Sequence, residues 1–153
     1  MSIDVKDLNA ELLLHSLLFA YQKATREVLG PVSAIFVPPL LDAVRTISEA
    51  VGIDLVKGED LDEVLQNYLG LLKDIGLVEG ARLEKLGPNK YLLGIDKCIY
   101  AKAVHEALKP SGVTCLHGLI AMAIFEKLAG RKVKLNESRF LPEGSETVIE
   151  YME

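Results

Sequence analysis

The stretch SGVTCLHGLIAMAIFEKLAGRKVKLNESRFLPEGSETVIEYME, residues 111–153, decides the fold. It opens with an apolar run whose length suits a helix from about Thr114 to Ala129, and Gly130 is the residue expected just past such a helix. The period then changes. Residues 132–140 and 146–152 alternate as strands do, around the turn signal Pro142-Glu143-Gly144. One buried helix followed by a hairpin is therefore the expected closing unit.

Upstream, the same unit recurs in reverse order. Residues 78–86 alternate, with Ala81 and Leu83 against Arg82 and Glu84; Gly87-Pro88-Asn89 marks a turn, and Tyr91–Ile95 reads as the return strand. Asp96 is the expected cap of a helix from about Lys97 to Lys109, ended by Pro110. Before residue 77 the period is helical. A first helix is expected from about Asp7 to Leu29, stopped by Gly30 and Pro31. Pro38 and Pro39 are expected to interrupt the next segment, leaving a short turn of helix before them and a helix from Leu40 to Val51 after them. Asp60 with Glu63 three residues on is a capping-box signal for a third helix ending at Gly76. Within the first helix, residues 12–19 are apolar on nearly every side except His15 and Ser16, as in a helix buried in a core or against a second subunit.

This order predicts an α+β fold: a four-stranded antiparallel sheet with helices packed on one face. The 153 residues are expected to form a single domain, with a helical N-terminal part (1–76) and a hairpin–helix–helix–hairpin core (77–153). Half of the residues are hydrophobic and the net charge is −5, with no Lys/Arg stripe, so no nucleic-acid partner is expected. Two cysteines do not make a disulfide framework, no signal peptide is read at Met1, and no apolar segment is long enough to span a bilayer. The expected location is cytoplasmic.

Candidate chemistry is sparse. Cys98, His105, Cys115 and His117 lie within twenty positions and invite a zinc reading. On a helix, however, Cys98 and His105 would stand about 10.5 Å apart along the axis, too far for one tetrahedral ion. Buried thiols and satisfied histidines are the plainer reading of these four. His105 as a haem ligand finds no Cys-x-x-Cys-His beside it, and haem is not expected. No catalytic residue is expected, because nucleophile elbows, phosphate loops and His-Glu-x-x-His are all missing. The small residues Gly118, Ala121, Ala123 and Ala129 allow two readings: close packing of the last helix on the sheet, or room for an apolar ligand between them.

The pattern Cys115-Leu-His-Gly118, Ile124-Phe-Glu-Lys-Leu-Ala-Gly130-Arg-Lys-Val133, Glu137-Ser-Arg139 and Gly144-Ser-Glu-Thr147-Val-Ile149 resembles the 4-vinyl reductase (hydrocarbon-binding) domain family. The chain would be a small archaeal or bacterial stand-alone member. That family's domains occur in bacteriochlorophyll-synthesis proteins, in sensors of aromatic compounds and, more distantly, in Golgi-transport subunits. The resemblance implies an α+β fold and a small-molecule-binding, sensor-like role for an apolar or aromatic ligand. The pocket it implies is lined by Cys115, Gly118, Met122 and Tyr151. A homo-oligomeric scaffold with a side-chain-filled pocket, or an accessory protein of tetrapyrrole metabolism, are the alternatives, and the expected oligomer is a homodimer. Metal-binding members hold zinc with a Cys at the start of the last helix, an acidic residue and two Cys on the final hairpin. Cys115 and Glu137 match the first two. Arg139 and Thr147 stand at the other two, where neither can replace a thiolate, so no cofactor is expected, and zinc is the metal that a completed site would hold.

Strand alternation puts Val133, Leu135, Glu137 and Arg139 on one face. Two outcomes are open. Arg139 turns inward and pairs with Glu137 in place of the metal, with Thr147 completing the hydrogen bonds, because a buried Arg needs a partner. Otherwise both charged side chains leave at the sheet edge into solvent.

Overall fold

The computed structural model describes residues 10–29, 33–134 and 136–153. Among the described residues, five helices and five strands follow in the order α1 (Ala10–Leu29), α2 (Ser33–Val51), α3 (Leu61–Asp74), β1 (Gly80–Gly87), β2 (Lys90–Asp96), α4 (Ala101–Leu108), α5 (Leu116–Ala129), β3 (Val133–Lys134), β4 (Arg139–Phe140) and β5 (Ser145–Tyr151). The α+β class is the one expected. The sheet is antiparallel, ordered β1-β2-β5-β3, with β4 pairing with β5 as well.

Leu93 lies opposite Thr147 and Tyr91 opposite Ile149 in the β2–β5 ladder. That register sends Ser145, Thr147, Ile149 and Tyr151 to the buried face of β5, while Glu146, Val148 and Glu150 are half-buried on the other. Helix α5 packs on that buried face, α3 packs on β1 and α5, and α2 covers α5. Sandwiched in this way, α5 is apolar on every side. Residues 117–119 and 121–125 are buried, and Gly130 ends the helix in the left-handed conformation, φ 65°. Helix α3 begins as expected: the Asp60 carboxylate accepts from the Glu63 amide at 2.9 Å, and the Glu63 carboxylate accepts from the Glu59 amide at 3.0 Å.

Four departures from the expected elements have physical causes. Helix α2 runs through Pro38 and Pro39 instead of starting after them. Each proline removes a hydrogen bond and costs about 3 kcal/mol in a helix interior. Val37 and Leu41, which flank the pair, are each 1% exposed in the main core, and α2 packs along α5. Packing of this helix outweighs its local propensity. Helix α4 starts at Ala101, because Asp96 does not cap it. The Asp96 carboxylate is held by the Arg82 guanidinium at 3.0 Å, and Lys97 takes a left-handed backbone, φ 49°. The expected strand 132–140 is broken into β3 and β4, giving five strands rather than four. Between them, Ser138 donates its amide to the Val113 carbonyl at 3.1 Å, and the Asn136 carbonyl accepts from the Thr114 hydroxyl at 2.7 Å. The segment leaves the ladder to satisfy the chain entering α5. Helix α5 itself opens at Leu116 rather than Thr114, without a side-chain cap. The expected start of α1 at Asp7, the stop at Gly30-Pro31 and the placement of Leu135 lie outside the described residues.

A second, smaller core sits apart from the first. It gathers Leu12 and Phe19 of α1, Val104 of α4 and Val113, with Phe140 packed against it.

Candidate functional site

The α5 entrance is where the resemblance placed its site, and its polar groups are buried and mutually satisfied. The Ser138 hydroxyl lies 2.6 Å from the Thr147 hydroxyl and accepts the Cys115 amide at 2.7 Å. Burial pushes the Cys115 thiol above its usual range, against smaller opposing effects from hydrogen bonds to Ser145 and to the Gly118 and His117 amides. Close by, His117 Nδ1 and the Tyr68 hydroxyl are 2.9 Å apart. Burial, with a lesser effect from His15, lowers His117 to about 4, and burial raises Tyr68, so both are neutral partners at pH 7.

The expected converted metal site is not assembled in this way. Glu137 is exposed and pairs with Arg26 of α1. Arg139 is exposed and its guanidinium pairs with Glu146 at 2.8 Å, a carboxylate it shares with Arg82. The inward Arg139–Glu137 pair is therefore replaced by two outward pairs with other partners. The cause is the strand break: once residues 136–138 leave the ladder, the alternation from Val133 to Arg139 no longer holds. Of the three positions Glu137, Arg139 and Thr147, only Thr147, 0% exposed and bonded to Ser138, sits inward. One thiol, one hydroxyl and two separately paired surface charges do not make a zinc donor set.

Burial raises the Cys98 thiol, with Cys115 near enough to add to the shift electrostatically, while Cys98 and His105 each bond to the 141–143 segment. The Cys98 amide donates to the Glu143 carbonyl, and His105 Nδ1 donates to the Leu141 carbonyl at 2.7 Å. Among the described residues, no group of three or more His, Cys, Asp or Glu is placed to hold a metal ion.

The expected pocket residues lie along the seam between α5 and β5, and the seam is filled. A methyl group on Gly118 would come within 2.8 Å of the Thr147 hydroxyl oxygen. Met122 is 0% exposed in the main core, and Tyr151 packs its ring on Phe125, centroids 5.9 Å apart, under Arg131. Of the two readings of the small residues, close packing is the one seen at Gly118. Cavities open elsewhere.

On α1 the helical period picks out Leu12 and Phe19 but passes over His15, Gln22 and Arg26 beside them. Leu12, His15, Phe19, Gln22 and Arg26 recur at three- and four-residue steps and form the stripe that docks on the body. His15 packs edge-on to Phe19 at 4.7 Å and stacks on Tyr100 at 5.3 Å, and Phe140 closes the cluster against Phe19 and His105. Burial, with the nearby His105 as a lesser cause, lowers His15 to about 4. Gln22 makes a two-way bond with Thr114, donating to its carbonyl at 2.7 Å and accepting its amide at 2.9 Å. The aromatic i, i+4 pair His15–Phe19 was the available signal.

The opposite side of α1 is also apolar, and it is open. Leu13, Leu14, Leu17, Leu18, Tyr21, Val28 and Leu29 are all exposed, Leu14 at 59%, Tyr21 at 71% and Val28 at 81%. Between the two faces, Ser16, Phe19, Ala20 and Lys23 line a cavity of about 280 Å³ with Lys109, Pro110, Ser111 and Val113. A neighbouring cavity of about 600 Å³ lies across Lys109-Pro110 and is lined by His105, Glu106, Phe140, Leu141 and Pro142.

Scans against protein-family models, curated proteins and solved structures gave no match. Among the described residues, no helix is long and apolar enough to cross a membrane.

Proposed function

We propose that this chain is a homo-oligomeric assembly module with a fold like that of the 4-vinyl reductase domains, in which α1 pairs with α1 of a second copy. The open face of α1 carries the reading. Leu14, Leu18, Tyr21, Thr25 and Val28 recur at steps of four, three, four and three, the spacing of a coiled-coil seam. At about 200 Å² for a fully exposed large side chain, the seven open residues present roughly 800 Å², the share each partner contributes to a standard stable interface. The largest apolar patch on an ordinary monomer is about 300–600 Å². From Leu14 to Val28 these seam positions carry no charged residue, so the same positions of a second copy meet them without desolvating an ion.

Light scattering on the eluting protein tests this. The expected mass is twice 16.8 kDa, falling to one chain mass in the variant Leu14→Lys with Leu18→Lys. A wild-type mass of one chain would sink the proposal.

The second reading is small-molecule binding of the sensor kind. It is favoured by the cavities beside α1, which are lined by apolar side chains together with a few polar ones, the make-up of ligand sites. It moves the ligand away from Cys115, Gly118, Met122 and Tyr151.

A further inference from the structure

The groove between α1 and the α4–α5 connection has a chemical character of its own, and a specific ligand for it rests on the small-molecule reading. Its floor is apolar: Phe19 and Val113 are both 5% exposed members of the smaller core, and Ala20 and Pro110 flank them. Its rim carries two cations, Lys23 from α1 and Lys109 from the end of α4. Neither lysine makes an ion pair among the described residues, whereas Arg26, one turn along α1 from Lys23, is engaged by Glu137. Lys109 holds a left-handed backbone, φ 43° and ψ 62°, which a residue with a side chain adopts at a cost. Pro110 follows directly, so the chain turns at this point with Lys109 lining both cavities.

We infer that this groove binds a small amphiphilic monocarboxylate, its apolar part on Phe19, Ala20, Pro110 and Val113 and its carboxylate between the Lys23 and Lys109 ammonium groups. The volume sets the size. At about 30 Å³ for each water-sized group, a 280 Å³ cavity takes a ligand of roughly nine or ten non-hydrogen atoms. Octanoate has that size and that charge. The chemistry also sets the sign. An ammonium ligand of the same length would bring a third cation between two lysines, and an uncharged alcohol would leave both without a counter-ion. Glu106 is the carboxylate that lines the adjoining cavity, beyond Lys109.

The test is calorimetric titration of the full chain with octanoate, 1-octanol and octylammonium, beside the variant Lys23→Gln with Lys109→Gln. Both lysines are exposed, so the variant keeps the core, and its circular dichroism melt checks this. Octanoate is expected to bind the wild type, to weaken roughly tenfold or more in the variant, and to bind more tightly than either control. Octylammonium or octanol binding as tightly as octanoate, or octanoate binding unchanged in the variant, overturns the carboxylate assignment and leaves small-molecule binding standing. Silence of all three overturns both. Binding to vesicles of phosphatidylglycerol without binding of free octanoate assigns the lysines to a membrane surface and also overturns the inference.

Discussion

Replacing Gly118 by Ala tests how closely α5 lies on the sheet. A Cβ there would stand 2.8 Å from the Thr147 hydroxyl oxygen, 2.9 Å from its Cγ2 and 3.2 Å from its Cβ. Thr147 has little freedom to yield. It is fully buried, bonded to Ser138 at 2.6 Å, and paired in register with Leu93. Overpacking of this kind costs about 1–3 kcal/mol. Alanine in a helix recovers about 0.5–1 kcal/mol relative to glycine. The net expectation is a loss of about 1–2 kcal/mol, or a fall of roughly 3–6 °C in Tm for a chain of this length. Thermal melts of Gly118→Ala, Thr147→Ser and the double variant form a cycle. Thr147→Ser removes the Cγ2 contact and keeps the hydroxyl bonded to Ser138, so the double variant should recover part of the loss, with a coupling of at least about 0.5 kcal/mol. A Gly118→Ala protein more stable than the wild type by the full helix gain would refute the close approach. It would also reopen the α5–β5 seam as a place for a ligand.

Three further outcomes rest on individual contacts. His15 and His117 are both lowered to about 4, mainly by burial, so the folded chain takes up their protons only near that pH while the unfolded chain does so below the ordinary 6.5. Stability should be flat above pH 6.5 and fall as pH drops towards 4. Urea midpoints that stay level from pH 7 to pH 4.5 would show the two imidazoles to be solvated. Gln22→Leu removes both bonds to Thr114 and leaves its amide and carbonyl without their partner, at a cost of about 1–3 kcal/mol. Hydrogen exchange should rise along α1 first, and uniform protection across the chain would contradict that. In Gly144→Ala the new Cβ would fall 2.0 Å from the Ile95 carbonyl oxygen, a backbone atom that cannot swing aside. The variant is expected to be the least stable of this set, and a melt within 2 °C of wild type, under roughly 1 kcal/mol, would contradict the packing of the β4–β5 turn on β2.

Much of the architecture was legible because it is written in local signals. Asp60 and Glu63 mark the α3 start, Gly87-Pro88-Asn89 the first hairpin, and Gly130 the end of α5. What was not legible depends on partners distant in sequence. No local rule carries a helix through Pro38-Pro39; the burial of Val37 and Leu41 against the core does. The strand break between Lys134 and Arg139 exists to serve Val113 and Thr114, more than twenty residues earlier. That break also undid the expected Arg139–Glu137 pair, since alternation is a sound guide only while the ladder continues. Helix α1 was readable as apolar on nearly all sides. Which side meets the body was decided by His15, Phe19 and Gln22, residues that a count of aliphatic side chains passes over.

Pairing through α1 is the central functional claim, and contact between copies is its most direct measure. In an isotope-filtered NOE experiment, a mixture of labelled and unlabelled chains reports only contacts between copies. Pairing along this face predicts such contacts between the methyl groups of Leu14, Leu18 and Val28 and the ring of Tyr21. Intermolecular contacts confined to another surface, or none at all, would contradict it.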